Sequence, residues 1–371
     1  MKILNIQCAA SYPVYIGHEV LSSDEFYATL RELNLRIALI TDSNLHAGLG
    51  EKIRCELQQH GFLVDLLFFP AGELHKTRAT KQVLEDTLFE KNYGRDTCLI
   101  ALGGGVVTDL VGFLAATYAR GVPVIYLPTS LMGMVDASLG GKTGVNTSSG
   151  KNLIGTITQP HAVFIDTTVL STLSDHEFLQ GIVEMIKHGM IADRAFFNAL
   201  SSNVYALKHR DPGCLIEMIY TSCSIKKNII EQDENENGMR HALNFGHTIG
   251  HAIELLENYH IAHGQAVAIG MLVECYLSVL SGRLEPAVLT LLSNLLGSFN
   301  VPLTTTAFNN PDAFRQALVL DKKAKSNIPH FVLLDCVGQV KCVAGIYVSR
   351  VTDDVLDRAL HWATVKFSPL T

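Results

Sequence analysis

Two histidines one helical turn apart, together with a distant acidic residue, offer the clearest chemistry in this sequence. His247 and His251 lie in the run NFGHTIGH at positions 244–251. A spacing of four places both imidazoles on the same face of a helix. His263 begins the next helical pattern, and Glu184 lies inside an apolar one, where a carboxylate needs a partner. One carboxylate and two imidazoles with an open position are typical of a catalytic zinc ion.

The spacing leaves the choice of ligands open, and each member has a more ordinary explanation. It does not decide which two of the three histidines bind the metal, and His260 is also nearby. A single histidine in a helix is more often a hydrogen-bonded core residue, and Glu184 could pair with Lys187 three residues later. The joint occurrence of these residues favours the metal site.

Several glycine-rich and polar runs in the first half indicate a nucleotide site. The triplet at 103–105 follows a strand-like run and opens a helical one, so backbone N–H groups could approach a diphosphate with no Cβ in the way. It lacks the GxGxxG pattern, and a tight turn is an equal alternative. The run PAGELHKT at 70–77 offers Glu73 for ribose hydroxyls and Lys76, while Asp42 also follows a strand-like run.

The segment at 120–152 is rich in glycine and polar residues and is too long for a simple connection. Long ordered loops tend to carry function. Lys142 and Lys151 could neutralise a phosphate, and the alternative is that they are solvated surface lysines.

The overall composition limits the possible functions. A chain of 371 residues with 48% hydrophobic and 18% charged residues predicts a globular protein of two domains. A net charge of -7 without a long basic run argues against binding nucleic acid or an anionic membrane. The start lacks an apolar run of signal-peptide length, and the eight cysteines form no CxxC pair. We therefore expect a cytoplasmic protein with reduced cysteines.

The elements that must position these residues change in type along the chain. Strand-like runs at 36–41, 62–69, 98–102 and 122–127 alternate with helical stretches. Helical spacing then dominates at 174–191, 213–231, 240–256 and 262–282, followed by a short β pair at 330–334 and 339–343. The sequence predicts an α/β fold with a Rossmann-like NAD-binding domain over 1–172 and a mainly α-helical metal- and substrate-binding domain over 173–371.

Taken together, these motifs resemble those of the 3-dehydroquinate synthase family, and they extend over nearly the whole chain. The residues that carry the resemblance are 12–17, the PxGExxK run at 70–76, 103–109, 120, 136–152, 184–189, 226, 233–234, 240–254, 263–271 and 321–323.

The resemblance implies a zinc or cobalt ion held by Glu184, His247 and His263, with His251 serving the substrate instead. It also implies NAD bound along the N-terminal loops. The NAD contacts would be Asp42, Glu73, Lys76, Gly104, Gly105, Val106, Asp109, Thr129, Ser130, Lys142, Lys151, Val169, Leu170, Ser171 and Thr172.

By the same resemblance, the substrate is 3-deoxy-D-arabino-heptulosonate 7-phosphate, which the shikimate pathway converts to 3-dehydroquinate and phosphate. NAD would be reduced and reoxidised within each turnover, before an intramolecular aldol closes the ring. The phosphate would meet Lys142, Asn152, Asn244, His251, one of Lys322 and Lys323, and Arg120 of a partner subunit, which implies a homodimer. Lys226 and Arg240 would hold the carboxylate, and Asp136 would also bind substrate. The catalytic set would be Lys142, Lys187, Lys226, Arg240, Asn244 and His251.

The sequence departs from the family pattern at three places, and none of them includes an expected ligand. Gln265 stands where the family commonly has Glu, which puts the surroundings of His263 in question. The run at 174–176 and Asn327 also differ from the usual residues.

Two other enzymes are alternatives. One is a 2-deoxy-scyllo-inosose or valiolone-type cyclase, whose substrate has no carboxylate. The other is a metal-dependent polyol dehydrogenase of the glycerol dehydrogenase type, which consumes NAD. The residues expected to bind carboxylate and phosphate argue against both of these enzymes. A scaffolding protein without activity would need a broken metal set, and here the set is complete.

Overall fold

The computed structural model describes residues 1–148, 150–320 and 328–369. The chain divides into two compact units. The first comprises Met1–Phe178 with Leu215–Lys227, and the second comprises Leu179–Cys214 with Asn228–Thr371. The sequence predicted one boundary near residue 172 and did not predict that Leu215–Lys227 belongs with the first unit.

The strands are β1 (Lys2–Gln7), β2 (Ser11–Gly17), β3 (Arg36–Asp42), β4 (Val64–Phe69), β5 (Thr97–Gly103), β6 (Val124–Pro128), β7 (Lys142–Thr147), β8 (Gly150–Ile157), β9 (Ala162–Asp166), β10 (Leu334–Cys336) and β11 (Gln339–Val340). The helices are α1 (Asp24–Leu33), α2 (Glu51–Gln59), α3 (Arg78–Glu90), α4 (Gly105–Thr117), α5 (Asp175–Ala192), α6 (Arg194–Ser202), α7 (Val204–Lys208), α8 (Pro212–Gln232), α9 (His247–Leu256), α10 (His263–Leu280), α11 (Pro286–Ser298), α12 (Pro311–Leu320) and α13 (Asp353–Phe367).

A seven-stranded sheet organises the first unit, in the order β1-β2-β9-β6-β5-β3-β4. All neighbours pair in parallel except β1 with β2. Every residue of β5 is buried, as expected for a central parallel strand built from an apolar run. From β3 the chain passes to β4 at one edge of the sheet, whereas from β5 it passes to β6 in the opposite direction. Ligands commonly bind beyond the carboxyl ends of the strands at such a switch point. The predicted α/β class is confirmed.

Three elements differ from their predictions. The polar run that follows the strand-like run at 122–127 and extends to residue 152 was predicted as a long loop, but an antiparallel hairpin of β7 and β8 begins within it at residue 142. The late β pair is shorter than predicted, because Phe331 exchanges backbone hydrogen bonds with Ser349 instead of extending the hairpin.

The predicted helix at 240–256 is also interrupted. Residues Met239–Asn244 form a 3-10 turn, and α9 begins only at His247. Gly246 between them has a left-handed φ of 80°, and a Cβ there would lie 2.8 Å from the backbone of Met271. A helical backbone at Gly246 is therefore replaced by a sharp turn that glycine alone adopts without strain.

Helices α9 and α10 pack backbone against backbone in the second unit. A Cβ on Gly270 would lie 2.0 Å from the carbonyl oxygen of Gly246, and one on Gly250 would lie 3.3 Å from Ala266. Among the described helices, α10 alone is long and apolar enough to cross a membrane, but 72% of it is buried, as in a core helix. The close approach fixes the two helix starts, where His247 and His263 lie.

Replacing Gly270 with alanine tests this packing. The added methyl group must push α9 away from α10, so we expect Gly270→Ala to lower the free energy of unfolding by about 1–3 kcal/mol. Gly297→Ala is the matched control, because a Cβ on Gly297 in α11 meets no described atom within 4 Å. We expect it to be neutral or to stabilise by up to about 1 kcal/mol. Equal effects of the two variants in denaturant unfolding would contradict the close packing.

Candidate metal centre and nucleotide loops

Three side chains from three helices of the second unit converge on one point. Glu184 comes from α5, His247 opens α9 and His263 opens α10. Each offers one ligand atom, and these atoms lie within 4.8 Å of one another. The Nε2 atoms of His247 and His263 are 3.7 Å and 3.8 Å from Oε1 of Glu184.

Polar contacts on the far side of each imidazole orient the two rings. Nδ1 of His247 lies 3.2 Å from the carbonyl oxygen of Phe245, which accepts from it. Nδ1 of His263 lies 3.4 Å from Oε2 of Glu254, a buried carboxylate on α9. A proton held at Nδ1 leaves the lone pair of Nε2 facing Glu184, as in metal-binding histidines whose second nitrogen bonds to a carbonyl or carboxylate.

The buried carboxylate of Glu184 fits a divalent cation. Its side chain is fully buried, and within the described parts of the chain Oε1 has no hydrogen-bond partner. The other oxygen pairs with Lys187, so the alternative ion pair considered from the sequence is present as well. One carboxylate oxygen and two imidazole nitrogens are the donors that zinc and cobalt accept.

His251 lies beside this group of three rather than within it. Its ring centroid is 5.6 Å from that of His247 and 6.4 Å from that of His263. Glu184, His247 and His263 form a group that could hold a metal, and His251 is not a member of it. The packing of three helices thus separates histidines that look equivalent in the sequence.

The segment before α9 is organised by Asp233. Its carboxylate accepts backbone N–H bonds from Asn237, Gly238 and Arg240 at 2.7–2.9 Å. Burial raises the pKa of this carboxyl, but the three N–H donors outweigh that effect and hold the pKa below its usual range.

The side chains of Arg240 and Asn244, in the 3-10 turn before α9, bond to residues of the preceding loop. The buried guanidinium of Arg240 donates from Nη1 to the carbonyl oxygen of Glu234 at 2.5 Å. Nδ2 of Asn244 donates to Oε1 of Glu236 at 2.8 Å.

In the first unit, the predicted nucleotide contacts follow the carboxyl ends of five parallel strands. Asp42 ends β3, the run at 70–77 follows β4, the glycine triplet follows β5, Thr129 and Ser130 follow β6, and Val169–Thr172 follow β9. Since parallel strands end at the same edge of the sheet, these residues share one edge.

The glycine triplet fits an anionic ligand. Gly104 is the N-cap of α4 and carries no side chain that could cap this helix end. A Cβ on Gly103 would lie 2.4 Å from Val107, and one on Gly104 would lie 3.1 Å from Oγ of Ser130. Unfilled N–H groups at a helix start attract phosphate.

A polar cluster around the buried Lys76 links this helix to the run at 70–77 and to the β7–β8 hairpin. Nζ of Lys76 lies 2.5 Å from Asp109 on α4 and donates to Oδ1 of Asn152 at 2.7 Å. Burial raises the pKa of the Asp109 carboxyl, and the Lys76 ammonium opposes this effect. Asn146 donates to Glu73 at 2.7 Å, so β7 is tied to the same loop.

The remaining predicted residues lie in different surroundings. Asp42 accepts from the backbone N–H of Asn44, and burial raises the pKa of its carboxyl. Lys226 pairs with Asp136 in the first unit. Lys142 and Lys151 lie on the β7–β8 hairpin. Val106 lies in the first turn of α4. Arg120 is exposed, and its backbone has a φ of 72°. Lys322, Lys323 and Asn327 lie outside the described residues.

Sequence reasoning missed the residues that support the ligands. Glu254 faces His263, Gln180 on α5 contacts Gly264, and the buried Glu274 accepts from the N–H of Gly246 at 2.9 Å. Buried acidic residues in apolar helices were the available signal for Glu254 and Glu274. Gln265 donates to the carbonyl oxygen of Thr304 at 3.0 Å, so its side chain faces away from Glu254 and His263.

Two family models match consecutive parts of the chain. The model described as 3-dehydroquinate synthase N-terminal matches residues 66–180, and the model described as 3-dehydroquinate synthase C-terminal matches residues 181–324.

Individual proteins match over nearly the full length. A 3-dehydroquinate synthase of Nitrosospira multiformis is 38% identical, covering 95% of this chain and 96% of that protein. A crystal structure of 2-deoxy-scyllo-inosose synthase with carbaglucose-6-phosphate, NAD+ and Co2+ is 27% identical with a TM-score of 0.86, covering 97% and 99% of the two chains. The 2-epi-5-epi-valiolone synthase of Streptomyces hygroscopicus, bound to NAD+ and Zn2+, is 26% identical with a TM-score of 0.87, covering 98% and 99%.

The lowered pKa of Asp233 predicts a pH-dependent contribution to stability. A carboxyl whose pKa is lower in the folded state stabilises the fold above its unfolded pKa of about 3.9, and this contribution is lost as the pH falls through the folded value. We expect Asp233→Asn to be less stable than the parent at neutral pH, with a difference that shrinks below about pH 4. Urea unfolding of both proteins across this range measures it, and a constant difference down to acid pH would contradict the assignment.

Proposed function

The chain belongs to the 3-dehydroquinate synthase family, and from this membership we propose which of its residues carry out the reaction. It is a phosphorus–oxygen lyase that converts 3-deoxy-D-arabino-heptulosonate 7-phosphate to 3-dehydroquinate and phosphate, using NAD and a divalent metal ion. The observation that carries our assignment is the convergence of Glu184, His247 and His263, whose ligand atoms lie within 4.8 Å of one another.

We assign the metal to these three side chains. When bound, the metal supplies a Lewis acid at a substrate hydroxyl, and NAD supplies a hydride acceptor that each turnover regenerates. Glu184 contributes the anionic ligand, and the carbonyl of Phe245 and the carboxylate of Glu254 face Nδ1 of the two imidazoles and orient the rings so that Nε2 is left for the metal. Lys187 balances the second oxygen of Glu184.

The substrate contacts in the second unit are Arg240, Asn244 and His251. Arg240 would bind the substrate carboxylate, a planar anion that suits a guanidinium. Asn244 and His251 would donate to the phosphate. Asp233 supports this role, because its bonds to the backbone hold the segment that carries Arg240.

In the first unit we propose NAD contacts at the shared edge of the sheet, with the diphosphate at the start of α4. Asp42 and Glu73 would serve ribose hydroxyls, and the pairing of Lys76 with Asp109 keeps the glycine loop and the run at 70–77 together. We assign substrate contacts to Asp136, Lys142, Asn152 and Lys226. The glycine at the N-cap of α4, which has no capping side chain, supports the diphosphate site.

The assembly and the cellular location are further parts of the proposal. We propose a cytoplasmic homodimer in which Arg120 reaches the substrate phosphate of the partner subunit. The exposure of Arg120 leaves its guanidinium accessible for such a contact.

A phosphate-release assay tests the function. The protein is incubated with the heptulosonate phosphate, Zn2+ and less NAD+ than substrate. We expect phosphate well beyond the NAD+ supplied, because NAD is regenerated, and we expect a chelator to stop the release. Turnover of sedoheptulose 7-phosphate or glucose 6-phosphate in place of this substrate would support a different cyclase, and net NADH formed from a polyol would support a dehydrogenase.

Paired alanine variants test the division among the histidines. We expect His247→Ala to lose metal, because one of three ligands is gone. His251→Ala should keep the metal content of the parent and lose phosphate binding or turnover. Metal analysis after dialysis, together with steady-state kinetics, distinguishes the two variants. Equal metal loss in both would refute the assignment of His251 to the substrate.

A further inference from the structure

The helix that presents His263 begins without a capping residue of its own. The N-cap position of α10 is Ala262, and among the described residues no side chain at that position bonds to the first turn. The first N–H groups of a helix have no partner within the helix, and an N-cap side chain usually accepts from the second or third of them.

A side chain from another helix takes over this task. Oε1 of Gln180 on α5 accepts the backbone N–H of Gly264 at 2.5 Å, and Gln180 is buried. Gly264 immediately follows His263, so the bond holds the backbone at the ligand itself. A Cβ on Gly264 would lie 2.7 Å from Oε1 of Gln180 and 2.9 Å from its Cα, so only glycine allows this approach.

The position of Gln180 on its own helix gives the bond its significance. Gln180 precedes Glu184 by four residues, which places both side chains on the same face of α5. One turn of α5 therefore supplies a metal ligand and a bond to the start of α10.

We propose that Gln180 is a positioning residue that sets the distance between Glu184 and His263, an inference that rests on the metal site proposed above. Glu254 orients the imidazole ring of His263, whereas Gln180 holds its backbone, so the two contacts constrain different degrees of freedom. Without the Gln180 bond, α10 can shift at its first turn and the two ligands no longer share one coordination geometry.

Two variants of similar length separate the acceptor from the volume of the side chain. Gln180→Met removes the acceptor, and Gln180→Glu keeps an oxygen at the same position. Gln265→Met is the matched control, because Gln265 lies in the same first turn and bonds only outward to Thr304 among the contacts described above. The measurements on the full metal-free chain are the Co2+ dissociation constant by chelator competition, the visible absorption spectrum of bound Co2+, and thermal unfolding before metal is added.

We expect Gln180→Met to weaken Co2+ binding about 10–100-fold and to change the Co2+ spectrum, as loss of supporting contacts does at other metal sites. Gln180→Glu should retain the spectrum and bind within a few-fold of the parent, and Gln265→Met should match the parent. If Gln180→Met does not fold, Gln180→Asn, whose shorter amide fails to reach Gly264, carries the same expected loss.

Three outcomes overturn the proposal. Parent-like affinity and spectrum in Gln180→Met would refute it, as would equal losses in the Met and Glu variants. A lower unfolding temperature with unchanged Co2+ binding would assign Gln180 to stability alone. His247→Ala measured in the same way keeps the two proposals apart, since parent-like binding in that variant would refute the metal site itself.

Discussion

The second unit is organised around one electrostatic constraint, a carboxylate that no water reaches. An ionised carboxylate in a protein interior is costly unless cations or hydrogen-bond donors surround it. Glu184 has the ammonium of Lys187 on one oxygen and two imidazoles on the other. Breaking a buried ion pair by removing one partner typically costs about 3–5 kcal/mol, so the site and the fold around it are mutually dependent.

The two imidazoles beside this carboxylate belong to the first residues of two helices. His247 and His263 are each the first residue of a helix; His247 follows the left-handed Gly246, and His263 follows Ala262, whose backbone is extended. Contacts outside the site then determine the ring orientation, through a carbonyl for His247 and a carboxylate for His263. Small errors in such supporting contacts are what usually loosen a metal site, because the ligands alone do not define their own positions.

The sequence predicted the parts of the fold and site that depend on local pattern. Four apolar runs corresponded to parallel strands, and the spacing of His247 and His251 correctly placed both residues on one helix. It could not separate His251 from the metal group, because that depends on how α5, α9 and α10 pack. Gln180 was invisible for the same reason, since its partner lies 84 residues away and an amide in a helix has no distinctive pattern. The β7–β8 hairpin was hidden by Gly144 and Gly155, which let its strands approach so closely that a Cβ on Gly155 would lie 1.9 Å from Thr143.

The contact between α9 and α10 bears on how such a protein can diversify. The two helices meet through Gly246, Gly250 and Gly270, and a glycine has no side chain whose size could be altered to adjust the distance between the helices. Gradual evolution of the ligand geometry is therefore blocked at this contact. The 3-10 turn and loop before α9 lie outside this contact, so side chains there can change in size without moving the starts of α9 and α10 apart.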